Sequence, residues 1–386
     1  MEFVLLILSR ILIVFGTRPE AIKMSPVVKQ LTQVGQFDVR VCVTGQHRQM
    51  LDQVLSLFEI TPYYDLNIMR DSQDLTDITV GVLTGLREIL KKWRPDHIIV
   101  HGDTTTTLAA SMAAFYERIP VSHVEAGLRT GNLYSPWPEE ANRRITSVVA
   151  TTHFAPTDTA RDNLIREGVV ASSIHITGNT VIDALLSTVD TIRSGKSILA
   201  DFNTKFSFLD ENKKLILVTG HRRENFGSGV IGLCSALKEL SSREDIQIVY
   251  PVHLNPNIKE PVFRLLGESP RIHLIDPQDY LPFVYLMEKS YLIITDSGGI
   301  QEEAPSLGKP VLVTRDTTER PEAVDAGTVK LVGTDSIRIV NEVVKLLCDK
   351  QYYKRMANAH NPYGDGLAAS RIVEVFQKNS FRMQYE

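Results

Sequence analysis

Cysteine is scarce, with three among 386 residues, and Cys42, Cys234 and Cys348 lie far apart without CxxC spacing. That argues against a disulfide framework or a cysteine-based metal knuckle and fits a reducing cytoplasm. Cys42 sits inside an aliphatic run, where a small buried thiol is the plain reading. Charge of one sign is also missing: 42 Lys and Arg face 46 Asp and Glu, for a net charge of −4. No general basic field awaits nucleic acid or an anionic membrane, so an anionic ligand must be met by locally placed cations and backbone N–H groups. Uninterrupted apolar runs long enough to cross a membrane are lacking. The apolar stretches Phe3–Leu8 and Ile11–Phe15 follow a glutamate, Glu2, and precede no small-residue cleavage site, which disfavours a signal peptide. Met1–Ser9 is read as an extension and Ile11–Phe15 as a buried strand. Solenoid repeats, low-complexity tracts, a P-loop and a GxGxxG fingerprint are all absent.

What is present is a rhythm. A hydrophobic fraction of 43% and a charged fraction of 23% are those of a globular protein, and the length suits two domains. Short aliphatic runs end in Gly- or Asp-containing turns and lead into helical stretches: Ile11–Phe15, Val39–Val43, His97–Val100, Val121–Val124 and His153–Ala155. After the helix expected over Thr180–Asp190, the polar stretch Ser194–Asn212 is the best linker candidate. The rhythm then restarts at Leu215–Thr219, Ile246–Tyr250, Ile272–Ile275, Leu292–Thr295 and Pro310–Thr314. Continuous aliphatic strands alternating with helices predict α/β architecture with parallel sheets covered on both faces. The expectation is two doubly wound, Rossmann-like domains facing a cleft. Residues 1–178 form the first, residues 179–365 the second, and a helix within residues 366–386 packs back on the first.

In such sheets ligands bind beyond the carboxyl ends of the strands. Gly16-Thr17-Arg18-Pro19-Glu20 follows the first strand, and Lys23 lies about one turn on. Arg18 and Lys23 would face an anion at the helix N-terminus, although an ordinary turn with solvated cations has the same sequence. Asp103, in His101–Thr107, reads equally as N-cap of the helix through Ala109–Phe115 or as a catalytic carboxylate. Glu125 directly follows a buried strand, with Gly127 two residues on. Of Glu139 and Glu140, one could simply favour a helix N-terminus. Asp103, Glu125 and Glu139 thus come from successive strand–helix units and converge on one rim. In the second half, His221, Arg222 and Arg223 form a cationic cluster at a strand end, suited to phosphate. Ser297-Gly298-Gly299 at a helix start lets backbone N–H groups approach a diphosphate. Glu303 would repel phosphate and suits ribose hydroxyls instead. Arg320 adds a cation, and Gln278 and Phe283 offer an edge and a wall for a base.

The runs GTRPEAIKMSP (Gly16–Pro26), HGDTTTT (His101–Thr107), HVEAGLRTGNLYSPWPEEANR (His123–Arg143), TGHRREN (Thr219–Asn225), DSGGIQEEAPSLGKPV (Asp296–Val311) and RDTTERPEA (Arg315–Ala323) together resemble the bacterial non-hydrolysing UDP-N-acetylglucosamine 2-epimerases. The resemblance extends from about Ile11 to about Val375. It implies a glycosyltransferase-B-type fold, a homodimer and a cytoplasmic enzyme interconverting UDP-GlcNAc and UDP-ManNAc without NAD or metal, as a supplier of surface polysaccharide. By motif, Asp103, Glu125 and Glu139 become the acid–base carboxylates. Arg18, Lys23, His221, Gln278, Phe283, Ser297, Gly298, Gly299, Glu303 and Arg320 become contacts to the nucleotide-sugar. His221 also joins the catalytic set, because it faces the departing UDP. Gln46, His47, Gln49, Arg222 and His253 match an activator site for a second UDP-GlcNAc. Rival readings are a UDP-sugar glycosyltransferase of the same fold, a hydrolysing epimerase, and a non-catalytic nucleotide-sugar sensor. A sensor has no need of three clustered acids.

Overall fold

A computed structural model describes residues 8–45, 48–70 and 72–383. Two compact units emerge: one comprises residues 1–184 together with 363–386, the other residues 185–362. The chain passes from the first to the second within the helix Thr180–Ser194.

The first unit is built on seven parallel strands, β1 (Ser9–Phe15), β2 (Phe37–Val43), β3 (Tyr64–Asp65), β4 (His97–His101), β5 (Val121–Val124), β6 (Thr152–Ala155) and β7 (Ile174–Ile176). Their order across the sheet is β3-β2-β1-β4-β5-β6-β7. Central β1 pairs with β2 and β4, matching Ile13 to Val41 and Ile99. Its residues Ile11–Phe15 are at most 1% exposed, which explains the unbroken aliphatic run: both faces of the sheet are covered. The helix Ala368–Met383 joins this unit, with Phe376 against Phe37, His97 and Phe154 at ring separations of 6.4, 5.6 and 6.0 Å.

The second unit repeats the plan with six parallel strands: β8 (Lys214–Val218), β9 (Ile246–Pro251), β10 (Ile272–Ile275), β11 (Leu292–Thr295), β12 (Val311–Val313) and β13 (Val329–Leu331). The order is β10-β9-β8-β11-β12-β13. In both sheets the first strand of the unit lies at the point where the order reverses, the position from which strand ends present ligand-binding turns.

Ser194–Asn212, expected as a linker, contains the helix Lys196–Lys205. Its polar face conceals Phe202, which with Phe206 four residues on is buried against Tyr285 at ring separations of 5.0 and 5.6 Å. An i, i+4 pair is enough to seat a short helix on a core. Strand β1 begins at Ser9, two residues before the aliphatic run, and Arg10 is held there by its N–H to Asp96 Oδ2 at 2.7 Å. Cys42 and Cys234 are buried free thiols, and that burial pushes both up to about 12. Among the described residues no helix is long and apolar enough to cross a membrane.

Candidate functional site

In the first unit the turns after β1, β4 and β5 carry the ionisable side chains. Glu20 ties two of these turns together. It is 2% exposed and accepts bonds from Gly16 N–H (3.0 Å), Thr17 N–H (2.8 Å), Thr17 Oγ1 (2.8 Å), Thr104 Oγ1 (2.7 Å) and Thr107 Oγ1 (3.1 Å). The Arg18 turn is thereby fixed to the loop that presents Asp103. Gly16 permits the close approach, since a Cβ there would fall 2.1 Å from Thr44 Oγ1.

Asp103 is not the cap of the helix that follows. Thr104 takes that role, its side chain accepting from Thr107 N–H at 3.1 Å, because its hydroxyl stands one residue nearer the helix. Asp103 is left to accept from Arg143 Nη2 at 2.6 Å and Nε at 2.9 Å, while Asn142 Nδ2 donates to its carbonyl at 2.8 Å. Both guanidinium donors reach the one oxygen Oδ2, so the charge-assisted pair anchors that oxygen.

Glu125 stands at φ 64°, a left-handed conformation unusual for a residue with a side chain. Its carboxylate is almost buried, pairs with Lys23, and accepts from Asn179 Nδ2 at 2.8 Å. His101 Nε2 lies 3.8 Å away. Burial lowers the His101 pKa to about 4 and the His123 pKa to about 3, so both rings are neutral near pH 7. His123 Nε2 accordingly donates to Gly102 O at 2.7 Å. Gly127 is structural, for a Cβ there would meet Ala160 O at 2.2 Å.

Glu139 and Glu140 open the helix Glu139–Val149 and have opposite surroundings. Glu140 is fully buried, accepts from Thr130 and Gly131 N–H at 3.1 and 3.2 Å, and pairs with Arg143 at 3.2 Å. Glu139 Oε2 is buried with no hydrogen-bond partner among the described residues. Arg18 is half-buried, and no ion pair engages it among the described residues.

The second unit carries the other half of the expected set. Asp296 is 1% exposed and accepts from the N–H groups of His221 and Arg222, each at 2.9 Å, and from Asn225 Nδ2 at 3.3 Å. His221 Nδ1 lies 3.2 Å from Asp296 Oδ1. Burial pushes the Asp296 carboxyl up, but the bonds from His221 and Arg222 outweigh it and hold the group below its ordinary range. The His221 side chain remains 46% exposed and its ring faces that of His253 at 6.0 Å. One carboxylate thus shapes the whole His221–Asn225 turn.

Ser297 stands at the N-cap position of the short helix Gly298–Glu303, without a side-chain cap bond. Neither glycine is demanded by the chain itself. Their φ angles are not left-handed, and an added Cβ would sit at ordinary contact distance, 3.8 Å from Arg222 Nη2 and 3.6 Å from Glu303 Oε1 respectively. Glu303 accepts from Tyr280 OH at 3.0 Å. Arg320 pairs with the buried Glu302, a partner that sequence did not foretell. Arg222 lies 3.6 Å from Glu319, whose carboxyl is held down to about 2: burial raises it, and the adjoining Arg315 overcomes that. Gln278 Nε2 donates to Asp276 O at 2.6 Å, and half-buried Phe283 lies on the helix Tyr280–Lys289.

Of the expected activator residues, Arg222 and His253 belong to this unit, while Gln46, His47 and the Gln49 side chain lie outside the described residues. Sequence reasoning missed Glu20, Arg143, Asn179 and Asp296 as organisers of the site. The capping-box spacing Thr17-x-x-Glu20 was an available signal for the first. The contacts through which the others organise the site, Arg143 to Asp103, Asn179 to Glu125 and Asp296 to His221, join residues far apart in sequence and left no local trace.

Comparison with known proteins supplies the family. Residues 29–377 match the family model described as UDP-N-acetylglucosamine 2-epimerase. The UDP-N-acetylglucosamine 2-epimerase of Escherichia coli strain K12 is 62% identical over 371 residues, covering 96% of this chain and 99% of the relative. A crystal structure of UDP-GlcNAc 2-epimerase from Neisseria meningitidis bound to UDP-GlcNAc superposes with a TM-score of 0.89 at 54% identity, covering 96% of this chain and all of that one. A glycosyltransferase from Rickettsia africae shares the fold alone, with a TM-score of 0.63 at 14% identity over 96% of this chain and 98% of its own. The two parallel α/β sheets are therefore of the glycosyltransferase-B-like kind, and the chain belongs to the UDP-N-acetylglucosamine 2-epimerase family.

Proposed function

We propose that this protein interconverts UDP-GlcNAc and UDP-ManNAc in the cytoplasm without hydrolysing either, and so provides ManNAc units for surface polysaccharide. The C2–H bond of the sugar is not acidic in the ground state, because no carbonyl is conjugated to it. Breaking the C1–O bond first gives C1 oxocarbenium character and acidifies the neighbouring hydrogen. Loss of that proton leaves 2-acetamidoglucal and UDP, and return of a proton to the other face of C2 with re-addition of UDP completes the inversion.

Two demands follow. Departing UDP must be stabilised, the part assigned to Arg18, Lys23, His221, Arg320 and the Ser297–Gly299 helix start. Gln278, Phe283 and Glu303 are assigned to the base and ribose. Proton-transfer groups must reach both faces of C2, the part assigned to Asp103, Glu125 and Glu139. The observation that carries the reading is the pair Gly298-Gly299, which no contact among the described residues requires, together with Glu139 Oε2, buried with no hydrogen-bond partner among the described residues. The first is explained by a diphosphate to be bound, the second by a proton to be transferred. Arg222 and His253, with Gln46, His47 and Gln49, are assigned to an activating second UDP-GlcNAc.

A homodimer is part of the same proposal. On the adjacent helices Thr105–Tyr116 and Glu139–Val149, Phe115, Tyr116, Ile145 and Val148 are exposed, Val148 to 84%. Clustered exposed apolar side chains of this kind mark an association surface.

The test is proton NMR of UDP-GlcNAc incubated with the protein in D2O, with no added NAD or metal. UDP-ManNAc bearing deuterium at C2 is expected. Free ManNAc with UDP would instead mean a hydrolysing enzyme, and unchanged, tightly bound UDP-GlcNAc would mean a transferase or a sensor.

A further inference from the structure

Asn179 lies outside every motif that carries the family resemblance, yet it is 2% exposed and reaches the candidate catalytic carboxylate. Its Nδ2 donates to Glu125 Oε2 at 2.8 Å, the same oxygen that pairs with Lys23. Its Oδ1 accepts from Val181 N–H at 3.1 Å, capping the helix Thr180–Ser194. Its own N–H donates to Tyr363 O at 2.6 Å.

The base of this arm is firmly held within the first unit. Arg371 Nη1 donates to Thr177 O at 2.9 Å, and Asp183 accepts from Ala368 and Ala369 N–H at 3.2 and 2.9 Å. A Cβ on Gly178 would approach Gly364 Cα to 3.3 Å, so the two segments touch backbone to backbone. The acceptor, for its part, hangs from a left-handed residue at φ 64°, a conformation that persists only where its surroundings over-determine it. A neutral amide suits this place. It fixes the carboxylate direction without adding a charge that would bias its proton affinity.

We propose that Asn179 is a positioning residue that orients the Glu125 carboxylate for proton transfer at C2. This rests on the reading of Glu125 as an acid–base group. Among the charged and titratable groups facing that carboxylate are Lys23 and His101, and Asp103 acts on His101 in turn.

Two variants separate positioning from capping, because both keep an acceptor for Val181 N–H. Asn179→Ser removes the amide donor. Asn179→Asp replaces it with a second carboxylate beside Glu125, and coupled carboxylates shift each other's titration. Asn179→Ser is expected to lower kcat at least tenfold, with KM changed less than threefold. In Asn179→Asp, the limb of the kcat–pH profile that Glu125→Gln abolishes is expected to move by a pH unit or more. A limb position does not depend on how much of the variant folds, so partial misfolding leaves the test intact. An Asn179→Ser kcat within threefold of the parent, or an unmoved limb in Asn179→Asp, overturns the inference. Parental turnover by Glu125→Gln would instead remove its premise, the role of Glu125, and the inference with it.

Discussion

Adjacent residues of one type can carry opposite duties, and Glu139 and Glu140 are the instance here. Successive helical positions point about 100° apart, so one carboxylate enters a cage of N–H groups and Arg143 while the other keeps a buried oxygen with no partner among the described residues. Glu139→Gln is therefore expected to lower kcat at least 100-fold, within the usual range for a lost acid–base group, and to leave the melting temperature nearly unchanged. Glu140→Gln is expected to lower the melting temperature by several degrees, with activity per folded molecule largely kept. Turnover and thermal melting of the two variants decide the assignment. The sequence showed that this pair opens a helix and matched Glu139 to the family's carboxylate. It could not show the cage, because Thr130 and Gly131 reach Glu140 only through a folded loop.

Buried histidines give the same scale a pH dependence. His123 has a folded pKa of about 3 against an ordinary 6.5. As pH falls below about 6.5 the unfolded chain takes up a proton that the folded ring refuses, so the native state loses stability. The loss is absent above that pH and grows until the folded ring titrates near 3. At pH 5 it amounts to roughly 2 kcal/mol. Gln at this position can still donate to Gly102 O. His123→Gln should accordingly lose less stability between pH 7 and pH 5 than the parent, by about that amount, as measured by urea unfolding at both values. Equal losses in the two proteins would rule out burial of a neutral ring as the cause.

At the scale of elements, what was legible was the central strands. Val121–Val124 and Leu292–Thr295 lie inside their sheets and occur with the expected bounds, because strands covered on both faces need continuous aliphatic runs. Ile272–Ile275 does so too, its four-residue aliphatic run being readable although it ends its sheet. Strands β3, β7 and β13 were not legible. They are two or three residues long and end their sheets, so one-sided burial left too little pattern to read. The helix Lys196–Lys205 hid behind its polar face for the same reason. Glycines show the sharper contrast. Gly16 and Gly127 are required by close contacts inside the chain, whereas Gly298 and Gly299 are not. Gly298→Ala and Gly299→Ala should therefore keep or slightly raise the melting temperature, since alanine restricts the unfolded chain. The KM for UDP-GlcNAc should rise at least tenfold as the methyl group blocks the diphosphate. A fall in melting temperature with KM unchanged would make these glycines structural after all.

For the whole molecule, composition and rhythm revealed two α/β halves, but the proposed association has no counterpart in the sequence that periodicity could detect. Phe115 and Tyr116 end one helix, Ile145 and Val148 lie three positions apart on its neighbour, and all four side chains face solvent in the single chain. Burying such a surface against a second copy follows from the hydrophobic effect, and a self-complementary patch closes into a two-fold pair. Val148→Lys would set two charges into the proposed contact. Because Val148 is 84% exposed, the change costs the folded chain little. Sedimentation should find the parent at twice the chain mass and Val148→Lys shifted toward the single-chain mass, with its melting temperature now depending less on concentration. A parent that sediments as a single chain at micromolar concentration would remove the dimer from the proposal. A variant that stays paired would move the contact to another face.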